Sequence, residues 1–278
     1  MPPALRVSSK NALFQQWLAL KTNRAKRHQL RQFLVEGTSA IDAAIRHGWT
    51  IEALLYPARR ALSDWARVHV ESGVARRNVE IESELLAELT ERHEGTELLA
   101  IVEPRESDLQ SLELREPWLV VVLDRPKSPN NVGAIVRSAV SFDATALVIT
   151  GHAADPFDPA SVRASVGTLF DLPMVRLPSH EALLAWVTER RMRESLTLVA
   201  TGDRGTRPIE DSDLSRNLVL VLGNETSGIS QAYRAACDTF VRLPTSERHS
   251  SLNVAAAAAV IFYEAQRQRR SRAGSAVP

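Results

Sequence analysis

The sequence predicts an α/β protein of two domains, and three observations carry that reading. From Phe33 to Val102 short apolar runs alternate with helical patterns, as in a compact layered α/β unit. From Trp118 onward the runs are longer, and Trp118–Leu123 has the composition of a parallel strand buried on both faces. Between them, Pro104 to Pro117 is polar, charged and bracketed by prolines, as a linker is. The domains are therefore placed at residues 1–105 and 117–270, joined by residues 106–116 and followed by a polar tail at 271–278.

In the first domain Phe33–Gly37 reads as a strand. Thr38 to His47 follows as a helix, with Thr38 or Ser39 as N-cap and Gly48 as its stop. Ile51–Tyr56 is a strand ended by Pro57, Ala61–Val70 a helix, Asn78–Ile81 a strand and Ser83–Arg92 a helix, with Leu98–Val102 closing the series. In the second domain further strands are expected at Ala146–Thr150, Met174–Leu177, Leu196–Thr201, Leu218–Gly223 and Thr239–Leu243. Helices fill the intervals at Val132–Phe142, Pro159–Phe170, His180–Arg193 and Ser230–Cys237. The last helix, Leu252 to about Gln268, carries the run Ala255–Ala259. Alanine maximises helix propensity and admits another backbone closely, from the same chain or across a dimer interface.

Of the 278 residues, 44% are hydrophobic and 24% charged, the proportions of a soluble globular chain. No apolar run approaches the ~20 residues of a membrane helix, so no membrane association is expected. Met1–Arg6 lacks the apolar core of a signal peptide, and Cys237 is the single cysteine. Both suit a reducing, cytoplasmic location. No clustered His/Cys set suggests a metal. A net charge of +1 makes no general case for nucleic acid, but charge is clustered. Lys21, Arg24, Lys26, Arg27, His28 and Arg31 crowd one segment, and Arg267, Arg269, Arg270 and Arg272 crowd the tail. Such clusters can contact phosphates. For the tail a frayed polar end is the simpler reading; for the first cluster a solvated helix face and a phosphate contact stand level.

Three stretches carry chemistry: Asn130–Arg137, Leu222–Ile229, and Leu243-Pro244 followed by Ser251–Val254. Each sets polar or Gly residues where an apolar strand gives way to a loop and a helix. In an open α/β sheet the carboxyl ends of the strands are where ligands bind. Taken singly, Asn131 reads as a helix cap, Arg137 as a surface arginine, Gly223 and Gly228 as turn glycines, Leu243 and Leu252 as core, and Ser251 and Asn253 as caps.

In order and spacing the three stretches resemble the motifs of the SpoU/TrmH branch of the SPOUT RNA methyltransferases, from about Trp118 to Arg267. The resemblance implies a parallel sheet with a C-terminal trefoil knot, S-adenosyl-L-methionine as cofactor, and a homodimer whose site is completed across the interface. It puts Asn131, Arg137, Glu225 and Asn253 in the catalytic centre and Thr201, Gly223, Leu243, Ser251 and Leu252 around the cofactor. Guanidinium is effectively never deprotonated, so Arg137 is expected to fix a phosphate and polarise the ribose 2′-hydroxyl rather than act as a base. Glu225 is expected to organise the site. Where the family usually has Met after Pro and Gly two residues later, Thr245, Ser246 and Glu247 stand here. More loosely, the segment ending Phe33-Leu34-Val35-Glu36-Gly37 resembles the smaller α/β RNA-binding domain that precedes many such catalytic domains. That assigns Lys21, Arg24, Lys26 and Arg27 to RNA, with Arg163 in Asp158–Phe170 either a further phosphate contact or a helix-surface residue.

The expected activity is 2′-O-methylation of RNA ribose, with ribosomal RNA favoured over transfer RNA because of the first domain. The second reading is a non-catalytic RNA-binding assembly factor, against which the intact Asn131, Arg137, Glu225 and Asn253 argue. A nucleotide-dependent dehydrogenase is a third, and no G-x-G-x-x-G follows a strand to support it.

Overall fold

A computed structural model describes residues 5–90, 96–246 and 252–275. It divides into two compact units, Met1–Arg105 together with Asp155–Asp171, and Glu106–Ala154 together with Leu172–Pro278.

The first unit runs β1 (Leu5–Val7), α1 (Ala12–Thr22), α2 (Arg24–Leu30), β2 (Phe33–Glu36), α3 (Thr38–Arg46), β3 (Ile51–Pro57), α4 (Asp64–Glu71), β4 (Ala75–Ile81), α5 (Ser83–Leu89) and β5 (Leu99–Val102). Its sheet has the order β1-β4-β3-β5-β2, with β1, β4 and β3 parallel and β5 antiparallel to β3 and β2. Phe14, Trp17 and Leu20 recur at helical spacing along α1 and pack on Leu34, Leu55, Leu99 and Ile101 of the strands. Burying each such side chain contributes roughly 1.5–3 kcal/mol relative to exposure. α4 starts later than expected, at Asp64, because the Ser63 hydroxyl accepts from the Ala66 amide and caps it there.

Residues 155–171 are read from sequence as part of the second domain, yet they pack into the first unit because their apolar side chains are core there. The Phe157 ring lies 4.8 Å from Phe33, and Phe170 lies 5.1 Å from Trp49, whose indole N–H donates to the Phe170 carbonyl at 3.0 Å. α7 (Pro159–Ser165) stops short of the expected Phe170. Val166 turns left-handed, and Gly167 follows at φ +92°, where an added Cβ would stand 2.8 Å from the Ser39 carbonyl.

The second unit runs β6 (Leu119–Asp124), α6 (Pro129–Ser141), β7 (Ala146–Thr150), β8 (Met174–Leu177), α8 (Glu181–Arg191), β9 (Leu196–Thr201), β10 (Arg207–Pro208), β11 (Asn217–Leu222), α9 (Gln231–Ala236), β12 (Thr239–Arg242) and α10 (Val254–Ser275). Its sheet has the order β10-β12-β9-β11-β6-β7-β8, and every pairing is parallel. β6 and β11 are buried along their whole length, which accounts for their unbroken apolar runs. The polar stretch 106–116 is no free linker: Leu109 begins a short 3₁₀ turn, Leu112 follows it, and both enter this unit's core beside Trp118 and Trp186. Among the described residues no helix is long and apolar enough to cross a membrane.

Candidate active site

With all pairings parallel, the carboxyl ends of β12, β9, β11 and β6 lie side by side on one edge of the sheet. A cleft of about 410 Å³ opens there, between the loops that follow β9, β11 and β12 and the first turns of α10. Thr201, Gly223, Leu243 and Leu252 line it, as do Asn131, Glu225 and Asn253. Ala257 and Ile261 of α10 add apolar wall.

Glu225 is held by three donors. Its Oε1 accepts from Asn131 Nδ2 at 3.0 Å and from the Ser128 amide at 3.1 Å, and its Oε2 accepts from the Lys127 amide at 3.0 Å. Asn131 Oδ1 in turn accepts from Asn253 Nδ2 at 3.1 Å, and Asn253 Oδ1 accepts from the Ala255 amide at 2.8 Å. A continuous chain of polar contacts therefore joins the start of α6, the loop after β11 and the start of α10. Partial burial pushes the Glu225 carboxyl up, but donation by Asn131 and by the backbone amides of Lys127, Ser128 and Glu225 itself outweighs it and holds the group below the ordinary carboxylate value. Glu225 is thus a poor proton acceptor and a firm anchor.

The loop after β11 is shaped by its own sequence. Buried Asn224 accepts from the Thr226 and Ser227 amides at 2.8 and 3.1 Å, and its side-chain amide donates to the Arg125 carbonyl. Gly228 at φ +64° lets the chain turn back. A Cβ at Gly223 would lie 2.5 Å from the Ile229 amide, so only glycine admits this close return. Beneath the loop, Asp124 is 3% exposed at the end of β6. It accepts from Arg125 Nε at 2.9 Å and from the Ser230 amide at 2.6 Å, tying the start of α9 to the sheet edge.

Arg137 is not in this lining. It is exposed on α6, and its guanidinium has no hydrogen-bond or ion-pair partner among the described residues. Ser251 lies outside the described residues, as does His249. The basic cluster of the first unit divides. Lys21 Nζ donates to the carbonyls of Glu88 and Thr90 at 3.0 and 2.7 Å and so closes the end of α5. Arg24, half-buried, and Lys26, exposed, reach His28 and Gln29 on their own helix. Arg163 is exposed on α7. Arg27 corrects the sequence expectation. Its side chain is 4% exposed, with Nε on Asp155 at 2.7 Å and Nη2 on Asp158 at 2.9 Å. A guanidinium so enclosed presents nothing to a phosphate.

Sequence reading missed Asp124, Arg125 and Asn224, whose signal was a polar residue directly after an apolar strand. It also missed Asp203, which lines the cleft two residues beyond Thr201. Among the described residues no three His, Cys, Asp or Glu side chains gather as a metal site.

Known proteins resemble this chain in sequence and fold. The SpoU rRNA methylase family model matches residues 118–263, and the SpoU L30e-like domain model matches residues 11–100. A 23S rRNA (uridine(2479)-2′-O)-methyltransferase of Streptomyces viridochromogenes is 44% identical over all of this chain and 97% of its own. The crystal structure of the SpoU methyltransferase AviRb from that organism, in complex with AdoMet, superposes with a TM-score of 0.89 at 45% identity, covering 94% of this chain and 99% of that one. An AdoMet-bound rRNA methyltransferase from Sinorhizobium meliloti has a TM-score of 0.84 at 28% identity, over 95% and 98% of the two chains. By its family match, by this identity and by the shared fold, the chain belongs to the SpoU rRNA methylase family.

Proposed function

We propose that the protein transfers a methyl group from S-adenosyl-L-methionine to a ribose 2′-hydroxyl of 23S ribosomal RNA. The observation that carries this reading is the Glu225–Asn131–Asn253 chain at the mouth of a cleft walled by Leu243, Leu252, Ala257 and Ile261. The cleft's volume falls in the range of small-molecule sites, roughly 300–1,000 Å³. Its apolar wall suits an adenine and its polar mouth suits a ribose. The full-length likeness to a 23S rRNA 2′-O-methyltransferase supports the choice of RNA.

When bound, the cofactor supplies an electrophilic methyl for in-line displacement. The protein's part is to place the nucleophile, and correct positioning can account for about 7–11 kcal/mol of barrier. Asn131 and Asn253 are each fixed through their amides, so they present a rigid edge. Glu225, held below the ordinary carboxylate value by its three donors, is the support of that edge. Arg137 fixes a substrate phosphate and polarises the 2′-hydroxyl, and its proton passes to a phosphate oxygen or water.

Arg137 stands apart from the cleft of its own chain, which supports a homodimer in which it serves the partner's site. α10 has a face to form one: Ala256, Val260 and Tyr263 are exposed at helical spacing. We also propose that the second unit is threaded as a trefoil knot. The approach of Gly205 to Val241, where a Cβ would lie 2.2 Å from the carbonyl carbon, shows how tightly the backbone is packed beside the cleft. Acting on ribosomal RNA, the enzyme belongs in the cytoplasm. The test is to incubate full-length protein with transcribed 23S RNA and S-adenosylmethionine and map 2′-O-methyl sites. One modified ribose is expected. RNA left unmodified by protein that binds the cofactor would favour the assembly-factor reading.

A further inference from the structure

Among the described residues two carboxylates line the cleft, and they differ in what holds them. Glu225 is held by three donors, as above. Asp203 has no hydrogen-bond or ion-pair partner among the described residues. It stands on a turn that the fold makes rigid. The Gly202 amide donates to the Val241 carbonyl at 3.0 Å, the Gly205 amide to the Gly202 carbonyl at 2.9 Å, and the Thr206 amide to the Phe240 carbonyl at 2.8 Å. Gly202 and Gly205 admit no Cβ without crowding, from the Phe240 ring at 3.1 Å and from the Val241 backbone at 2.2 Å. This turn, pinned closely to β12, places the exposed Asp203 along the cleft with no partner among the described residues.

Its position selects what it meets. β9 lies between β12 and β11, two strands from β6, and neighbouring strands are about 4.8 Å apart. Asp203 therefore sits roughly 10 Å along the sheet edge from the α6 side of the cleft, where Asn131 and Glu225 mark the reacting end. Were the sulfonium held at that end, the adenosyl ribose would extend along the edge toward Asp203. A vicinal diol offers two O–H donors, and a carboxylate offers two acceptor oxygens. A strand-end carboxylate on a ribose is the same solution that dinucleotide-binding sheets use.

We propose that Asp203 is a specificity-determining residue for the cofactor, accepting hydrogen bonds from the ribose hydroxyls of S-adenosylmethionine. This rests on the cofactor reading given above. The test is calorimetry on full-length wild type, Asp203→Ala and Asp203→Asn with S-adenosylhomocysteine, its 2′-deoxy and 3′-deoxy analogues, and 5′-methylthioadenosine. Asp203→Ala should weaken S-adenosylhomocysteine and 5′-methylthioadenosine alike, by about tenfold, at an unchanged melting temperature. Removing either hydroxyl from the ligand should weaken the wild type but cost the alanine variant little more. Asp203→Asn should fall between. Additive penalties in variant and analogue would overturn the proposal. So would a loss that spares 5′-methylthioadenosine, because the carboxylate would then face the ammonium group. Wild type that binds none of these ligands would instead overturn the cofactor reading, and this proposal with it.

Discussion

Replacing Glu225 by Gln tests the organising role at the point where structure and chemistry meet. The carboxylate takes Asn131 Nδ2 and the Ser128 amide on Oε1 and the Lys127 amide on Oε2. Glutamine keeps one acceptor oxygen, so the Oε1 pair can survive, but its NH₂ then confronts the Lys127 N–H. A hydrogen bond to a charged group contributes about 1.5–3 kcal/mol, and solvent reaches this one, so the loss belongs at the lower end, about 1–2 kcal/mol. If all of it appears in the transition state, single-turnover methyl transfer falls about 5- to 30-fold. The assay is single-turnover transfer at saturating RNA and cofactor, with cofactor affinity measured alongside and expected to change little. An unchanged rate would show that the chain of amides does not position the nucleophile. A loss beyond about a hundredfold would point the other way, to Glu225 as general base. The pH dependence adds an independent check. Because the folded-state carboxyl lies below its ordinary value, its stabilising contribution is complete above the unfolded value of about 4.3 and is lost as pH falls through the lower folded value. Glu225→Gln should therefore lower stability at neutral pH, converge with the wild type in acid, and flatten that part of the acid limb.

Arg137→Ala should abolish methyl transfer with cofactor affinity intact, and Arg137→Lys should fail too, because a point charge cannot reproduce the planar fork; near-normal turnover in either would misplace the catalytic centre. Arg27→Ala should destabilise the first unit by about 3–5 kcal/mol in denaturant unfolding, since it strands Asp155, which is 3% exposed. Lys26→Ala should instead leave stability alone and flatten the salt dependence of RNA affinity by roughly 0.7–0.9; a mild Arg27→Ala with the same RNA phenotype would restore Arg27 to the RNA surface. Val260→Asp combined with Tyr263→Asp should yield a monomer by light scattering that still binds cofactor but has lost turnover, whereas an active monomer would count against a site shared between subunits.

Much of this protein is legible along the chain. The runs at 119–124 and 217–222 announce buried parallel strands because both faces of each strand need apolar side chains. Asn131, Glu225 and Asn253 stand out because polar groups placed directly after such runs must sit at the sheet's ligand-binding edge. The side chains that meet, and the surfaces left over, are decided only in three dimensions. A basic run does not say which arginine turns inward: Arg27 finds Asp155 at a separation of 128 residues, and nothing near Arg27 in the sequence marks it off from Lys26. Phe157 and Phe170 join the first unit's core through rings that no local pattern connects. Asp203 becomes part of the cleft because strand order, which crosses from β12 to β9 to β11, sets its turn beside loops far away in the chain. Periodicity reports how each segment is buried, whereas partner choice depends on the closure of the whole fold.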